Sequence, residues 1–165
     1  MITPDYCRQM ARYNAWQNKG LRKLVPSLPM EELTKDRGAF FGSILGTLNH
    51  LLWADMLWLK RLGVHVVPHE SKARGVDVTR TGDEWAAARF KADGAITLWA
   101  DRIRAIDLAG QISWTNSSGE ANSDKAWICV THFFNHQTHH RGQVHAMLTA
   151  AGQTLPDTDL IYLLE

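Results

Sequence analysis

The sequence predicts an all-α fold, a four-helix bundle with a long crossover between helices 2 and 3 and a small hairpin-like insertion before helix 4. Four segments of roughly six turns or more carry apolar side chains at helical spacing. Proline, glycine or a capping residue marks the ends of these segments. A chain of 165 residues with 45% apolar composition has the usual size of one domain. We therefore treat residues 1–165 as a single domain.

Helix 1 is predicted from about Pro4 to Val25. A capping hydroxyl on Thr3 before a proline is a typical helix start, because proline needs no hydrogen bond at the first helical position. Pro26 and Pro29 end the helix, since proline disfavours helix in the residue before it. We expect a polar stretch through Arg37 to form the connection to the next helix.

Helix 2 is predicted from about Phe41 to Leu62, apolar on most sides, which indicates burial against more than one neighbour. Residues Val64–Thr81 form a connection of 18 residues without helical periodicity. At about 3.3 Å per extended residue, this connection can run the length of a helix. Helix 3, predicted from about Asp83 to Ile106, can therefore lie parallel to helix 2.

A hairpin is predicted over Gln111–Asp124, because residues alternate along two short extended pieces around the turn-forming sequence Ser117-Ser118-Gly119. Helix 4 is predicted from Ser123 or Asp124 to Ala151. Gly152 supplies its left-handed cap.

Composition excludes several classes of protein. A net charge of +1 and the absence of nucleic-acid-binding motifs argue against nucleic acid as a partner. No segment approaches the ~18 apolar residues of a membrane span, so we expect no membrane association. Cys7 and Cys129 lie too far apart for a CxxC motif. Together with a polar N-terminal segment, this predicts a cytoplasmic protein.

Histidines cluster in helix 4, where five of the eight in the chain lie between Thr131 and Ala146. Residues four apart share a helix face, so His132/His136 and His136/His140 are both candidate chelating pairs. At about 100° per residue, His136 and His140 lie on or beside the apolar face, whereas His139 lies beyond His132. The helical wheel therefore favours the pair His136 and His140.

His50 is the strongest third candidate, because it lies in the apolar middle of helix 2 and a buried imidazole needs partners for both nitrogens. Three neutral histidines with an open fourth position describe a catalytic site of the zinc type. The alternative is an ordinary core histidine bonded to a carbonyl or carboxylate. The Glu-x-x-His pairs of di-iron bundles do not occur, nor do serine-hydrolase, Walker or dinucleotide motifs.

Three sequence segments resemble the DinB family, within the DinB/YfiT-like superfamily of four-helix metalloproteins. They are Tyr13–Asn18, Phe41–Asp55 and Asn135–Gln143. The resemblance implies a bundle with a long crossover, commonly a homodimer. It also implies a divalent metal held by one histidine of helix 2 and a His-x-x-x-His pair of helix 4, which are His50, His136 and His140 in this sequence.

The resemblance implies a metal-dependent enzyme, because the superfamily includes thiol S-transferases and a thiol-dependent maleylpyruvate isomerase. We expect activation of a low-molecular-weight thiol for S-transfer to an electrophilic small-molecule substrate. The alternatives are a hydrolase that uses metal-bound water and a non-catalytic metal-binding module for stress response or interaction. Zinc, nickel and iron(II) all suit three imidazoles. Residues that could orient the ligands are Asp55, His139, Arg141 and Gln143, and Trp114 is a candidate for the mouth of the site.

Overall fold

The described part of the chain is mostly helical and includes a small two-stranded sheet. A computed structural model describes residues 2–71, 73–116 and 118–163. In this part of the chain, no helix combines the length and the apolar character that crossing a membrane requires. The helices and strands are α1 (Pro4–Leu24), α2 (Met30–Thr34), α3 (Ile44–Arg61), α4 (Gly82–Arg102), α5 (Ala105–Ala109), β1 (Gln111–Thr115), β2 (Ala121–Lys125) and α6 (Ala126–Ala150), with short 3₁₀ turns at Val25–Ser27 and Leu160–Tyr162.

Helix α1 begins as predicted, and the Thr3 hydroxyl accepts a hydrogen bond from the backbone N–H of Tyr6. It ends at Leu24, one residue before the predicted end, because the chain tightens into a 3₁₀ turn that contains Pro26. The polar connection after it includes a short helix that was not predicted from the sequence. This helix is α2, which begins directly after Pro29 and buries Leu33.

Helix α3 begins at Ile44, three residues later than predicted. Gly42 has a φ of 73°, a left-handed conformation that cannot continue into a helix. The helix instead starts after Ser43, whose hydroxyl accepts a hydrogen bond from the Gly46 N–H at 3.0 Å. The sequence before Ser43 is apolar, which explains why periodicity alone extended the helix too far.

Helix α4 ends at Arg102, and its predicted extension to Ile106 is wrong. Ile103 is extended, with a ψ of 138°, and the chain then turns into the separate helix α5. The Asp107 carboxylate accepts a hydrogen bond from the Arg104 N–H at 2.9 Å and so caps this short helix.

The predicted hairpin is present as the antiparallel pair β1 and β2, in which Ser113 lies opposite Ser123. Ser117, part of the predicted turn, lies outside the described residues, whereas Gly119 has the left-handed φ of 82° expected of a turn glycine. Strand β2 continues to Lys125, so α6 begins at Ala126 and not at Ser123 or Asp124.

Contacts between the long helices show their directions. Trp85 of α4 donates to the Leu48 carbonyl, and Arg89 one turn later pairs with Asp55. These two contacts advance in the same sense along both helices, so α3 and α4 are parallel, as the long crossover allowed. By the same comparison α6 runs antiparallel to α3, since His50 meets His136 whereas Trp58 meets His132.

Two apolar clusters fill the interior, one on each side of a layer of buried polar side chains. One cluster includes Cys7, Leu59 and Phe133, and the other includes Val25, Ile44 and Leu148. The polar layer consists of Asn14 and Asn18 from α1, Asp55 from α3, Arg89 and Asp93 from α4, and Gln137 and Arg141 from α6.

Hydrogen bonds in the polar layer join all four long helices. Asp55 accepts from Arg89 at 2.5 Å and from Gln137 at 2.9 Å, and Asp93 accepts from Asn18 at 2.8 Å. Arg141 donates from Nη1 to the amide oxygen of Asn14. Buried polar groups lose the solvation of water, so satisfying them in one geometry aligns the helices that carry them.

Candidate metal centre

Helices α3 and α6 bring His50, His136 and His140 together, as the sequence predicted. One ring nitrogen from each histidine lies within 4.8 Å of the other two, and Nε2 of His50 is 3.3 Å from Nε2 of His136. Because α3 and α6 are packed side by side, one turn of α6 is enough to place both of its histidines against the single histidine of α3. We call these three residues the triad.

Two histidines of the triad are oriented through their other ring nitrogen. His50 Nδ1 lies 2.6 Å from the backbone carbonyl oxygen of Arg74, and His140 Nδ1 lies 2.7 Å from Gln143 Oε1. Carbonyl oxygens only accept hydrogen bonds, so each Nδ1 is the protonated nitrogen. Each Nε2 therefore carries a free lone pair, which is the form of imidazole that binds a metal.

Burial lowers the pKa of all three histidines. For His136 the pKa falls to about 3, and the neighbouring His140 and His50 add to the effect of burial. Burial also lowers the pKa of His50 and of His140, although the hydrogen bonds that they donate to the Arg74 carbonyl and to Gln143 Oε1 oppose it. The imidazoles are thus neutral at pH 7. Three neutral nitrogens that converge in this way fit a divalent ion such as zinc.

The crossover between α3 and α4 forms one wall of the site. Asn49, beside His50, donates to the carbonyls of Val76 and Thr79 and accepts from the Thr79 hydroxyl. These bonds attach the crossover to α3. Arg74 has a φ of 55°, which is uncommon for a residue with a side chain. Arg74 has this conformation at the point of the crossover where its carbonyl accepts a hydrogen bond from His50.

Gly75 lets the crossover lie against α3. Its φ is 82°, and a Cβ atom at this position would lie 2.3 Å from Cβ of Trp53. Gly75→Ala should therefore displace the crossover, lower the free energy of unfolding by about 1–3 kcal/mol and weaken metal binding by loosening His50. Urea unfolding and metal competition titrations measure the two effects.

Gly63→Ala is the matched control, because Gly63 also has a φ of 82° but its Cβ would meet nothing within 4 Å. We expect it to keep parental metal affinity. Equal metal affinity in the two variants would show that the crossover does not orient His50.

Aromatic side chains border the triad on two sides. Phe41 stacks on His50 with ring centroids 3.8 Å apart. Next to His136, the ring centroid of His132 lies 5.6 Å from that of His136 and 5.3 Å from that of Trp58. Trp114 contacts Trp58, so it belongs to this row but is separated from the triad by Trp58 and His132. His132, which is exposed, and the two tryptophans therefore form an aromatic row beside the site.

The four residues that were predicted as candidates to orient the ligands have different positions in the structure. Gln143 does contact the triad, whereas Asp55 and Arg141 belong to the polar layer. His139 is exposed and lies beside His140, where it contacts the Gln143 amide nitrogen at 3.3 Å. Burial lowers the pKa of Arg141 to about 10, which leaves it charged at pH 7. His145 lies away from the triad, on the wall of a separate groove.

Sequence reasoning missed the Arg74 carbonyl, Asn49 and Phe41. Asn49 could have been found, since an amide next to a histidine in an apolar helix face needs a partner. The Arg74 contact depends on a backbone conformation in a connection without periodicity, and the Phe41 contact depends on the late start of α3. Neither leaves a local signal in the sequence.

The contact between His140 and Gln143 predicts a measurable effect. Gln143→Ala should weaken metal binding about 10–100-fold, the usual effect of removing a group that orients a ligand histidine. His139→Ala is the control, because it removes the other contact of the Gln143 side chain and leaves His140 in place. Chelator competition checks both affinities, and an unchanged affinity in Gln143→Ala would contradict an orienting role.

Both cysteines are buried and unpaired with each other. Burial raises the pKa of Cys7 to about 11, and it also raises the pKa of Cys129. Because the thiolate is the nucleophilic form, neither side chain is suited to react at neutral pH.

The fold and the triad define a class, namely a helical protein with three clustered histidines that could hold a metal ion. The sequence model of the DinB family matches residues 1–165. The chain belongs to the DinB family.

Two relatives agree with this assignment. The chain is 24% identical over 160 residues to Protein DinB of Bacillus subtilis (strain 168), covering 94% of this chain and 91% of that protein. The crystal structure of a DinB-like protein from Bacillus cereus ATCC 10987 superimposes with a TM-score of 0.64 at 20% identity. The superposition covers 87% of this chain and 91% of the other, and it supports the helical fold.

Proposed function

We propose that the protein is a metal-dependent enzyme that activates a low-molecular-weight thiol for S-transfer to an electrophilic substrate. His50, His136 and His140 would hold one divalent ion through their Nε2 atoms, with zinc, nickel or iron(II) as candidates. The observation that carries this proposal is the all-histidine donor set, whose nitrogens lie within 4.8 Å of one another. A divalent ion held by neutral imidazoles keeps its full charge and lowers the pKa of a thiol beside it.

The chemistry of the surrounding residues favours a thiol over water. Activation of water for hydrolysis usually uses a carboxylate base, and within the described residues the cluster that could hold a metal contains histidines alone. Asp55, which lies on the same helix as His50, is turned towards Arg89 and Gln137. A thiolate needs no further base once its proton is lost, so this site suits thiol attack.

The thiol would come from solution, because Cys7 and Cys129 are buried with raised pKa values. In the proposed transfer, the thiol gives its proton to solvent and its sulfur forms a bond to an electrophilic carbon of the substrate. The leaving group on that carbon departs with the electron pair of the broken bond. Phe41, which stacks on His50, would shield the reacting atoms from water on that side.

Metal-dependent hydrolysis is the second candidate function, and His132 is the observation in its favour. Its ring lies 5.6 Å from that of His136. Burial lowers the pKa of His132, so its imidazole is neutral and could accept a proton. A hydrolase would therefore lose activity in His132→Ala with metal content unchanged, whereas thiol transfer would not depend on this residue as a base.

Cobalt substitution tests the proposed function. We expect glutathione, cysteine or another small thiol to produce a thiolate-to-cobalt charge-transfer band in the parent protein. The same thiol should then conjugate a chromogenic electrophile, and both signals should disappear in His136→Ala but persist in His139→Ala. A cobalt protein that retains its metal and responds to no thiol would contradict the proposal and favour a non-catalytic metal-binding module in stress response or interaction.

We also propose the finer organisation predicted from the sequence and from its family resemblance: a single cytoplasmic domain, 1–165, folded as a four-helix bundle and assembled as a homodimer. Exposed apolar side chains on α4, such as Phe90 and Leu98, support a helix-face dimer. Sedimentation at micromolar concentration should show twice the chain mass of 18.6 kDa. A species of 18.6 kDa alone would exclude the dimer at that concentration.

A further inference from the structure

A groove of about 660 Å³ lies between α1, α6 and the segment that follows α6. Arg141 of α6, Leu21 of α1 and Leu155 of the C-terminal segment are among the residues that line it. In the described chain, the residues that line the groove do not include any of the triad. Its volume falls within the range of about 300–1,000 Å³ typical of small-molecule sites.

Arg141 is a buried cation whose partners are neutral. Its Nε donates to Gln17 Oε1 at 2.6 Å, and its Nη1 donates to Asn14 Oδ1. Among the described residues, the salt bridges of Asp55 and Asp93 are both with Arg89, and none involves Arg141. Arg141 therefore makes no direct ion pair among the described residues, and the nearby carboxylates Asp55 and Asp93 only partly oppose the lowering of its pKa by burial.

The third nitrogen of the Arg141 guanidinium is free to meet a ligand. Nη2 makes no hydrogen bond with the described residues, and it is not among the fully buried unbonded atoms. Arg141 is only 5% exposed and lines the groove. A guanidinium edge is well suited to carboxylate and phosphate oxygens.

The rest of the groove combines basic and aliphatic side chains. Lys23 and His145 line it together with Arg141, and no aspartate or glutamate does so within the described residues. Leu21, Leu24 and Leu155 supply aliphatic surface. The wall formed by the C-terminal segment is held in place because Tyr13 and Gln17 both donate to the Thr158 carbonyl.

We propose that this groove is a second ligand site, which binds an amphipathic organic anion with a carboxylate or phosphate head at Arg141 and an aliphatic body along the leucine side chains. The ligand's head would accept hydrogen bonds from the Arg141 guanidinium, which makes no direct ion pair among the described residues. Its body covers apolar surface that is open to water in the unliganded groove. The site does not use the triad, so the proposal does not depend on the metal or on thiol chemistry.

Calorimetric titration with four eight-carbon probes tests the chemical class. Octanoate and octyl phosphate carry the two candidate heads, octanol has the same chain without charge, and octylammonium reverses the charge. We expect at least one anion to bind at least tenfold more tightly than octanol or octylammonium, and the tighter anion identifies the preferred head. Equal binding of the anions and octanol, or no binding of any probe, would overturn the proposal.

Two glycines provide matched variants that test the location of the site. A Cβ at Gly20, which lines the groove, and a Cβ at Gly94 of α4 would each meet nothing within 4 Å. Gly20→Leu should fill the groove and weaken binding of the preferred anion at least tenfold, whereas Gly94→Leu should bind it like the parent. Undiminished binding in Gly20→Leu would place the anion elsewhere and overturn the proposal.

Arg141→Gln tests the charge, and circular dichroism shows whether this buried variant folds. A folded variant should lose at least tenfold in affinity for the preferred anion and leave the weak binding of octanol unchanged. If the variant does not fold, Gly20→Leu decides the question. Binding of the anion should persist in His136→Ala, so failure of the metal site and failure of the anion site are separately visible.

Discussion

His136→Ala should lower the affinity for a divalent metal ion by more than about 100-fold, beyond the range expected when only an orienting group is lost. His136 is in contact with both other members of the triad: its ring centroid is 5.2 Å from that of His50 and 4.4 Å from that of His140. Removing it leaves two nitrogens on different helices and breaks the chelating pair of α6. Elemental analysis after dialysis against a weak chelator measures the loss.

His139→Ala is the matched control for this prediction, because His139 neighbours His140 on the same helix but is exposed and outside the triad. It should retain most of the metal. His50→Ala and His140→Ala should behave like His136→Ala. Undiminished metal content in any of these three variants would remove that residue from the site.

Arg89→Met should lower the free energy of unfolding by about 3–5 kcal/mol, the cost of breaking a buried ion pair from one side. Arg89 is 1% exposed, lies 2.5 Å from Asp55 and 3.0 Å from Asp93, and is nearly isosteric with methionine along its stem. Its loss leaves two carboxylates in the core without their cation. Urea unfolding followed by circular dichroism measures the change.

Arg104→Met provides the comparison, since Arg104 also pairs with an aspartate, Asp107, at 3.0 Å but both side chains are exposed. Solvent screens such a pair, so its urea midpoint should stay at the parental value. If Arg89→Met were no less stable than Arg104→Met, the polar layer would not be a source of the protein's stability.

Helical spacing made it possible to predict the triad from the sequence. His136 and His140 share a face of α6 because they are four residues apart. That face also carries apolar residues, so the pair was expected to point towards the interior. His50 was recognisable because an imidazole in an apolar helix must find partners in the folded protein. The structure brings these three residues together, and their role as metal ligands stays a prediction.

The ends of the helices were harder to predict from the sequence, because each end depends on the backbone conformation of a single residue. Because Gly42 is left-handed, α3 begins later than predicted, and because Ile103 is extended, α4 ends before α5 begins. Neither break interrupts the apolar pattern that indicated the longer helices. Pairing of β2 with β1 likewise delays α6 and outweighs the helical pattern of the residues before Ala126.

The polar layer could not be assembled from the sequence, since its members come from four distant helices. Arg141 follows His140 directly and was a candidate for orienting the ligands. One residue of helix rotation, about 100°, instead directs it to Asn14 and Gln17 of α1. Only the packing of α1 against α6 distinguishes these two roles.

X-ray absorption spectroscopy of the zinc-loaded protein tests the central claim most directly, because it counts the atoms bound to the metal. The triad predicts three imidazole nitrogens at about 2.0–2.1 Å and no sulfur from the protein. The same spectrum from His136→Ala, loaded at high zinc, should lack one imidazole. A protein sulfur at about 2.3 Å, or an unchanged imidazole count in His136→Ala, would contradict a metal centre built from His50, His136 and His140.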